Sequence, residues 1–314
     1  MIFITGVSGF IGSHLLLSLD EYDVRVLLRN ECKLDTIRDV DIRLGSLGDN
    51  LSEHLEGIEC VVHCAGLSST NQVSADKILK VNYEDTMKLA RDCLNNNVKR
   101  FIFISSIKVC GELSTRRLFD NNSDYLPSDA YSISKAKAEK DLIELSKNSD
   151  LEVVIIRPAL VYGPGVKANF ASLMTLVSKW IPLPFGCITN NKRSLVSVEN
   201  LVDLIITCIE HPNAANQVFL VSDDYDISTS EMVRELALAM GKPNWQLPIP
   251  IWCYKLFGTF FNKSDVIDRL VGSLQADITH TKETLGWRPP QTLQCGFKRT
   301  AEAFLQSKKN SGES

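Results

Sequence analysis

The sequence has 314 residues, 44% of them hydrophobic and 23% charged, with 17 glycines. That length exceeds the roughly 100–200 residues of one typical domain, so it accommodates two domains or one large α/β unit with a sizeable core. The composition excludes a disordered, fibrous or collagen-like chain. The net charge of −4 excludes a global pull toward nucleic acid or an anionic membrane, so partners have to be argued from local sites.

Met1–Thr5 reads as an apolar strand, followed at once by Thr5-Gly6-Val7-Ser8-Gly9-Phe10-Ile11-Gly12 and a helical run over Ile11–Leu19. Glycines three apart permit a tight strand-to-helix turn and close backbone approach, so the helix can point its free N–H groups at a pyrophosphate. A dinucleotide is therefore expected at Gly6, Gly9, Phe10, Ile11 and Gly12. The second strand, Asp23–Leu28, ends in Arg29 and Asn30. An acidic residue there would favour NAD, whereas Arg29 offers a 2′-phosphate a charge-assisted partner, so NADP is expected over NAD. Asp41–Leu44 is a weaker strand candidate, and Ser46 and Leu47 beyond it are placed in the same cofactor set.

Cys60–Cys64 reads as a buried strand in which Cys60, Val62 and Cys64 share one face and His63 points away, which argues against a metal site. The nine cysteines lack a C-x-x-C pair and several lie in apolar stretches, as expected of reduced thiols in a cytoplasmic protein. No basic segment precedes an apolar leader, and no apolar run approaches the ~20 residues needed to cross a bilayer, so membrane insertion is not expected.

A helix is predicted over Ala75–Asn95, and a strand over Arg100–Ser105 that delivers Ser105 and Ser106 to the carboxyl edge of the sheet. A hydroxyl there could hydrogen-bond a substrate carbonyl. The helix Ser132–Lys147 follows, and a spacing of four sets Tyr131 and Lys135 on one face. A phenol with a reference pKa of about 10 becomes a proton relay where an ammonium and a cationic nicotinamide favour its ionised form. Lys135 can also hold the nicotinamide ribose. Leu151–Arg157 completes the alternation of strands and helices, which predicts a parallel sheet covered on both faces with ligands at the carboxyl ends of its strands.

Past Arg157 the elements shorten and prolines punctuate them, in Ile181–Gly186, Leu247–Ile251 and Trp287–Pro290. The apolar stretch Trp245–Phe261 is read as packing within a second lobe rather than as a membrane contact. The polar tail, Gln306–Ser314, is expected to fray.

The glycine turn, Asn82 after Val81, Ser105-Ser106, Tyr131-x-x-x-Lys135 and the run Arg157-Pro158-Ala159-Leu160-Val161-Tyr162-Gly163-Pro164-Gly165 together resemble the extended short-chain dehydrogenases/reductases. More narrowly, nearly the whole chain resembles the NAD-dependent epimerase/dehydratase group acting on nucleotide sugars. The resemblance implies an α/β fold: a Rossmann doubly wound parallel sheet in residues 1–165, to which 195–223 return, and a smaller, interleaved mixed α/β lobe in 166–314 that binds the sugar nucleotide. It implies Ser106 as the catalytic hydroxyl, Tyr131 as acid/base and Lys135 as the ribose-holding lysine. It also sets Asn82 near the cofactor, Cys64-Ala65-Gly66 over the nicotinamide ribose and Pro158 beside the nicotinamide. Arg193, in Arg193–Asn200, resembles the arginine that grips the nucleotide diphosphate, and Asn169 resembles a further diphosphate contact.

Two departures narrow the activity. Leu160 stands where many 4-epimerases carry a substrate-binding asparagine. Ile107 and Lys108 stand where 4,6-dehydratases need an Asp-Glu pair, and neither can serve as that acid or base. Ser105–Val109, Pro182–Gly186 and Val271–Gln275 further resemble bacterial enzymes that reduce the 4-keto group of UDP-2-acetamido-2,6-dideoxyhexuloses for surface polysaccharide, with Lys108 as either a substrate contact or a solvated loop cation. The expected activity is therefore that NADPH-dependent reduction of a UDP-sugar. The alternative is a UDP-sugar 4-epimerase of the UDP-glucose or UDP-GlcNAc type, and a more distant one is a non-catalytic dinucleotide sensor. Members of the family are often dimeric through the helix carrying Tyr131 and the one before it, which leaves a homodimer open.

Overall fold

The computed structural model describes residues 1–31, 34, 40–68, 73–114, 117–261 and 264–310, without the side chains of 168, 169 and 265. The last four residues of the polar tail therefore lie outside the described residues. Among the described residues ten strands follow one another as β1 (Ile2–Thr5), β2 (Val24–Leu28), β3 (Asp41–Leu44), β4 (Cys60–His63), β5 (Arg100–Ile104), β6 (Glu152–Pro158), β7 (Leu160–Tyr162), β8 (Arg193–Ser197), β9 (Val218–Val221) and β10 (Asp226–Ile227). The helices of the first half are α1 (Phe10–Leu17), α2 (Ser52–Leu55), α3 (Ala75–Leu79), α4 (Asp85–Asn95) and α5 (Ala130–Lys147). Those of the second are α6 (Ala168–Ser178), α7 (Val198–Glu210), α8 (Thr229–Ala239), α9 (Ile251–Phe260), α10 (Ser264–Val271), α11 (Thr279–Leu285) and α12 (Leu293–Asn310).

Seven strands form one parallel sheet in the order β3-β2-β1-β4-β5-β6-β9. Strands such as Ile2–Thr5 and Arg100–Ile104 are buried along their whole length, as a sheet covered on both faces requires. One apolar layer joins the sheet to α1 and α7 through Leu15, Leu16, Leu201 and Ile205, and a second joins it to α4 and α5 through Met87, Leu89, Ala138 and Leu142. This is the Rossmann-like α/β architecture expected from the sequence. A small sheet, β10-β8-β7, stands beyond the carboxyl edge, and a third apolar cluster around Tyr162, Phe170, Leu236 and Phe297 consolidates α6, α8 and α12 there.

The helix expected over Ala75–Asn95 is interrupted by a π-helical turn at Lys80–Glu84. The wide turn holds Asn82 fully buried, where its amide donates to Leu67 O at 2.9 Å and to Ser134 Oγ at 3.0 Å and accepts from Leu67 N at 2.7 Å. The Trp245–Phe261 stretch departs from the expectation of interior packing. Tyr254 and Gly258 are buried, but Trp252, Leu256, Phe257, Phe260 and Phe261 are exposed. The reason is local: α9 is held by one face, where a Cβ on Gly258 would lie only 2.8 Å from Ile267 of α10, so the short helices close on each other and leave the other faces of α9 outward. Among the described residues no helix is long and apolar enough to cross a membrane.

Two buried polar contacts tie the layers together. Glu139 of α5 is fully buried and accepts from Arg157 Nη2 at 2.7 Å, from Tyr125 Oη at 2.9 Å and from the Ser105 hydroxyl. His63 is also fully buried, bonded to Thr5 Oγ1 at 2.7 Å and Thr86 Oγ1 at 2.9 Å. Burial, with a smaller contribution from the charge of Lys135, pushes its pKa from 6.5 down to about 3.

Glu139→Ala would leave Arg157 buried and uncompensated, and urea unfolding should register a loss of about 3–5 kcal/mol. The double change Glu139→Leu with Arg157→Met should recover part of it, and a single variant within 1 kcal/mol of wild type would contradict the role. For His63 the imidazole stays neutral in the folded state, so below pH 6.5 the unfolded chain binds a proton that the folded chain refuses. Stability should therefore fall from pH 6.5 toward 3, with the His63 part of the slope approaching about 1.4 kcal/mol per pH unit. Urea titrations of wild type and His63→Gln that remain parallel over that range would show that the ring is not held neutral.

Candidate active site

The carboxyl edge of the main sheet opens into a cleft of about 430 Å³ between the sheet and the second lobe. Its floor is the turn from β1 into α1. Gly6 has φ +79°, and a Cβ there would stand 2.5 Å from Ala65 N. A Cβ on Gly12 would fall 2.3 Å from Gly6 O. Both positions therefore demand glycine. Gly9 caps α1 without a side-chain hydrogen bond, and the first turn holds no acidic residue. The amides of Phe10, Ile11 and Gly12 are thus left for an anion, and the residues fit a dinucleotide pyrophosphate.

One wall is built by β4, β5, β6 and α5. Cys64, Gly66, Ser105, Ser106, Tyr131, Lys135 and Pro158 all line it. Asp129 caps α5 by accepting from Ser132 N at 2.7 Å, while the Ser132 hydroxyl accepts from Asp129 N at 3.1 Å, so the helix begins where Tyr131 meets the cleft. Burial pushes the Tyr131 phenol up to about 12, with its hydrogen bond to Ser106 pulling the other way and Asp129 adding to the rise. Lys135 is buried too. Its Nζ donates to Ile104 O at 2.9 Å and lies 4.4 Å from the centre of the Phe103 ring. Burial lowers its pKa to about 8, against the opposing pull of Cys64 and Glu139. Asn82 stands one layer behind, propping the Leu67 main chain; a Cβ on Gly66 would lie 3.3 Å from both Asn82 Oδ1 and Lys135 Nζ. Burial also pushes the Cys64 thiol up to about 12, which keeps it an uncharged lining group.

The opposite wall carries cations. Arg193, at the start of β8, donates to Arg269 O at 2.5 Å, and Arg269 of α10 pairs with Glu112 at 2.5 Å. Lys108 is paired with Glu112 at 3.1 Å and with Asp129 at 2.9 Å, so it is neither a free loop cation nor turned wholly to the cleft it lines. Burial works against the Glu112 carboxylate, but Lys108 and Arg269 hold its pKa below the ordinary value. Glu112 and Arg269 are the charged lining residues that sequence reasoning missed. They lie 157 positions apart and neither sits in a motif.

The structure gathers most of the expected residues and leaves others apart. Gly9, Phe10, Ile11, Gly12, Lys108 and Arg193 line the cleft with the wall residues above, and Gly6 and Ala65 touch directly beneath it. Arg29 and Asn30 are exposed at the end of β2, and Ser46 and Leu47 follow β3, none of them lining the cleft. Asn169 falls in α6, with its side chain outside the described residues. No group of three His, Cys, Asp or Glu able to hold a metal is found among the described residues.

Residues 2–222 match the NAD dependent epimerase/dehydratase family. The chain is 56% identical over 319 aligned positions to UDP-glucose 4-epimerase of Vibrio cholerae, covering 98% of this chain and 96% of the relative. Among solved structures, the UDP-glucose 4-epimerase of Thermotoga maritima with UDP-glucose superposes with a TM-score of 0.79 at 24% identity, over 98% of this chain and 99% of that one. The UDP-glucuronic acid 4-epimerase of Bacillus cereus in complex with NAD gives 0.79 at 20% identity, over 100% and 98%.

These findings overturn the expectation of NADP over NAD, since the family is NAD-dependent and the Bacillus cereus relative holds NAD. The physical reason lies at the end of β2: Arg29 is exposed there and stands outside the residues that line the cleft, so one guanidinium turned to solvent is not by itself a built seat for a 2′-phosphate. The chain is an enzyme of the NAD-dependent epimerase/dehydratase family, within the extended short-chain dehydrogenases/reductases.

Proposed function

We propose that the protein is an NAD-dependent UDP-hexose 4-epimerase, inverting the C4 hydroxyl of a sugar such as UDP-glucose. The observation that carries this reading is the 56% identity to the Vibrio cholerae UDP-glucose 4-epimerase across both whole chains. It takes the place of the 4-ketoreductase expected from the sequence, while keeping the same residues in the same roles.

NAD, when bound, supplies a reversible hydride acceptor for C4. The glycine turn with Gly6, Gly9, Phe10, Ile11 and Gly12 holds its pyrophosphate, and Cys64, Ala65, Gly66, Asn82, Lys135 and Pro158 frame the nicotinamide end. Tyr131 exchanges a proton with the sugar O4 as that oxygen becomes a carbonyl and reverts. Ser106, within hydrogen-bond reach of Tyr131, turns its single hydroxyl proton from the phenol to O4 when the sugar is bound and so stabilises charge on it. Lys135, fixed by Ile104 O, contributes a positive charge under the same wall. Across the cleft Arg193 faces the UDP diphosphate, which a guanidinium matches with two parallel hydrogen bonds. Inversion further requires the keto sugar to turn over within the cleft. Leu160 and Ile107 give it apolar lining rather than a fixed polar contact at that position.

Purified protein should interconvert UDP-glucose and UDP-galactose without added dinucleotide, as followed by chromatography of the products. Turnover only of a UDP-4-keto sugar, with stoichiometric consumption of a reduced dinucleotide, would replace the epimerase reading by the reductase. Tyr131→Phe should lower kcat by roughly 10²–10⁴-fold while NAD binding, measured calorimetrically, stays near wild type. Undiminished turnover in that variant would remove Tyr131 from the reaction.

A further inference from the structure

The largest feature that the active site does not explain is an apolar face on the second lobe. Trp180, Trp245, Trp252, Phe257, Phe260 and Phe261 are each more than half exposed, and Phe260 reaches 86%. Monomeric soluble surfaces rarely gather such residues in one contiguous patch. Here they fall in two groups that adjoin along the chain. Leu183 N donates to Trp245 O at 2.8 Å and so brings the Trp180 segment beside the Trp245 segment, and Lys242 Nζ lies 4.5 Å from the centre of the Trp180 ring. Pro250 then leads directly into α9, whose Phe257 ring stacks on Phe261 at 5.1 Å.

The charge within the segments that build this face is one-sided. From Val153 to Val198 and again from Leu236 to Ser264 the chain holds no aspartate or glutamate, although its net charge is −4. Within those stretches Lys179, Lys242 and Lys255 flank the aromatics, with Lys179 and Lys255 exposed. Tryptophan and phenylalanine edged by lysine, in segments that hold no carboxylate of their own, match a bilayer interface, where rings sit at headgroup depth and each cation gains from anionic lipid, with Asp268 an exposed acidic group on the packed α10. A protein-protein contact would instead be depleted in lysine. At ten residues α9 is about 15 Å long, far short of spanning, so it would lie in the plane of the surface.

We infer that this face, built from the Trp180 and Trp245 segments and α9, docks the protein on the headgroup region of an anionic phospholipid bilayer. The inference is independent of the reaction in the cleft. It has a geometric consequence for it, because α10, packed on α9, contributes Arg269 to the cleft wall, so the docked surface lies beside the cleft.

The test is co-sedimentation of the full chain with phosphatidylcholine vesicles made with and without phosphatidylglycerol. Wild type should pellet with the anionic vesicles and stay in the supernatant with the neutral ones. Lys242→Glu with Lys255→Glu should weaken anionic binding by at least about tenfold, and Phe257→Ser with Phe260→Ser should abolish it. Both variants should keep wild-type NAD affinity as proof of an intact fold, and the lysine pair serves if the phenylalanine pair does not fold. Absence of pelleting with either vesicle, or variants that pellet like wild type, would overturn the proposal. So would a dimer that the Phe257 and Phe260 changes dissociate, because the face would then be covered by a second copy.

Discussion

The Glu139–Arg157 contact is the constraint on which the rest of the site depends. It joins the helix that carries Tyr131 and Lys135 to the two strands that end in Ser105-Ser106 and Pro158, and it does so in a place that water does not reach. Glu139 lies one helical turn beyond Lys135, so any slip of α5 along the sheet that displaced the lysine would also break the ion pair. A buried pair of this kind adds little net stability but is very costly to disrupt, so it favours one register over its neighbours. The position of the phenol and the ammonium in the cleft is thus held from below rather than by contacts within the cleft.

The two sides of the cleft that we propose for the cofactor and for the sugar are built by different means. On the cofactor side the decisive feature is missing volume. Gly6 and Gly12 let backbone meet backbone at distances no side chain would tolerate, which exposes the amides of α1. On the sugar side the decisive feature is charge: Arg193, Arg269 and Lys108 are gathered from β8, α10 and the loop after β5, and Glu112 lies among them and balances two. The overall charge of −4 conceals this local excess of cations, as it conceals the carboxylate-free segments that carry the outer aromatics.

Local patterns could be read from the sequence because they are local. The first strands of the main sheet were legible as short, mostly apolar runs, whereas β7, β8 and β10 were not, and the glycine turn, Ser105-Ser106 and Tyr131-x-x-x-Lys135 were legible because each depends on residues a few positions apart. Arg29 misleads for the same reason: one residue at a strand end does not state the electrostatics of a pocket, and the fold leaves its side chain exposed. The Trp245–Phe261 stretch misled as well, since an apolar composition states how much surface prefers to leave water but not whether the chain supplies a partner for it.

By itself the sequence determined the order of strands and helices up to Arg157, the glycines of the first turn and the order of hydroxyl, phenol and ammonium along the chain. These follow from backbone sterics and from periodicities of two and 3.6 residues. Only the tertiary structure decided that Lys108 is shared between Glu112 and Asp129, that Arg269 crosses 157 positions to reach Glu112, and that His63 is held neutral between two threonines. Pairings at that separation are set by how the second lobe closes over the sheet and by what burial does to charge. Neither quantity belongs to any single stretch of chain.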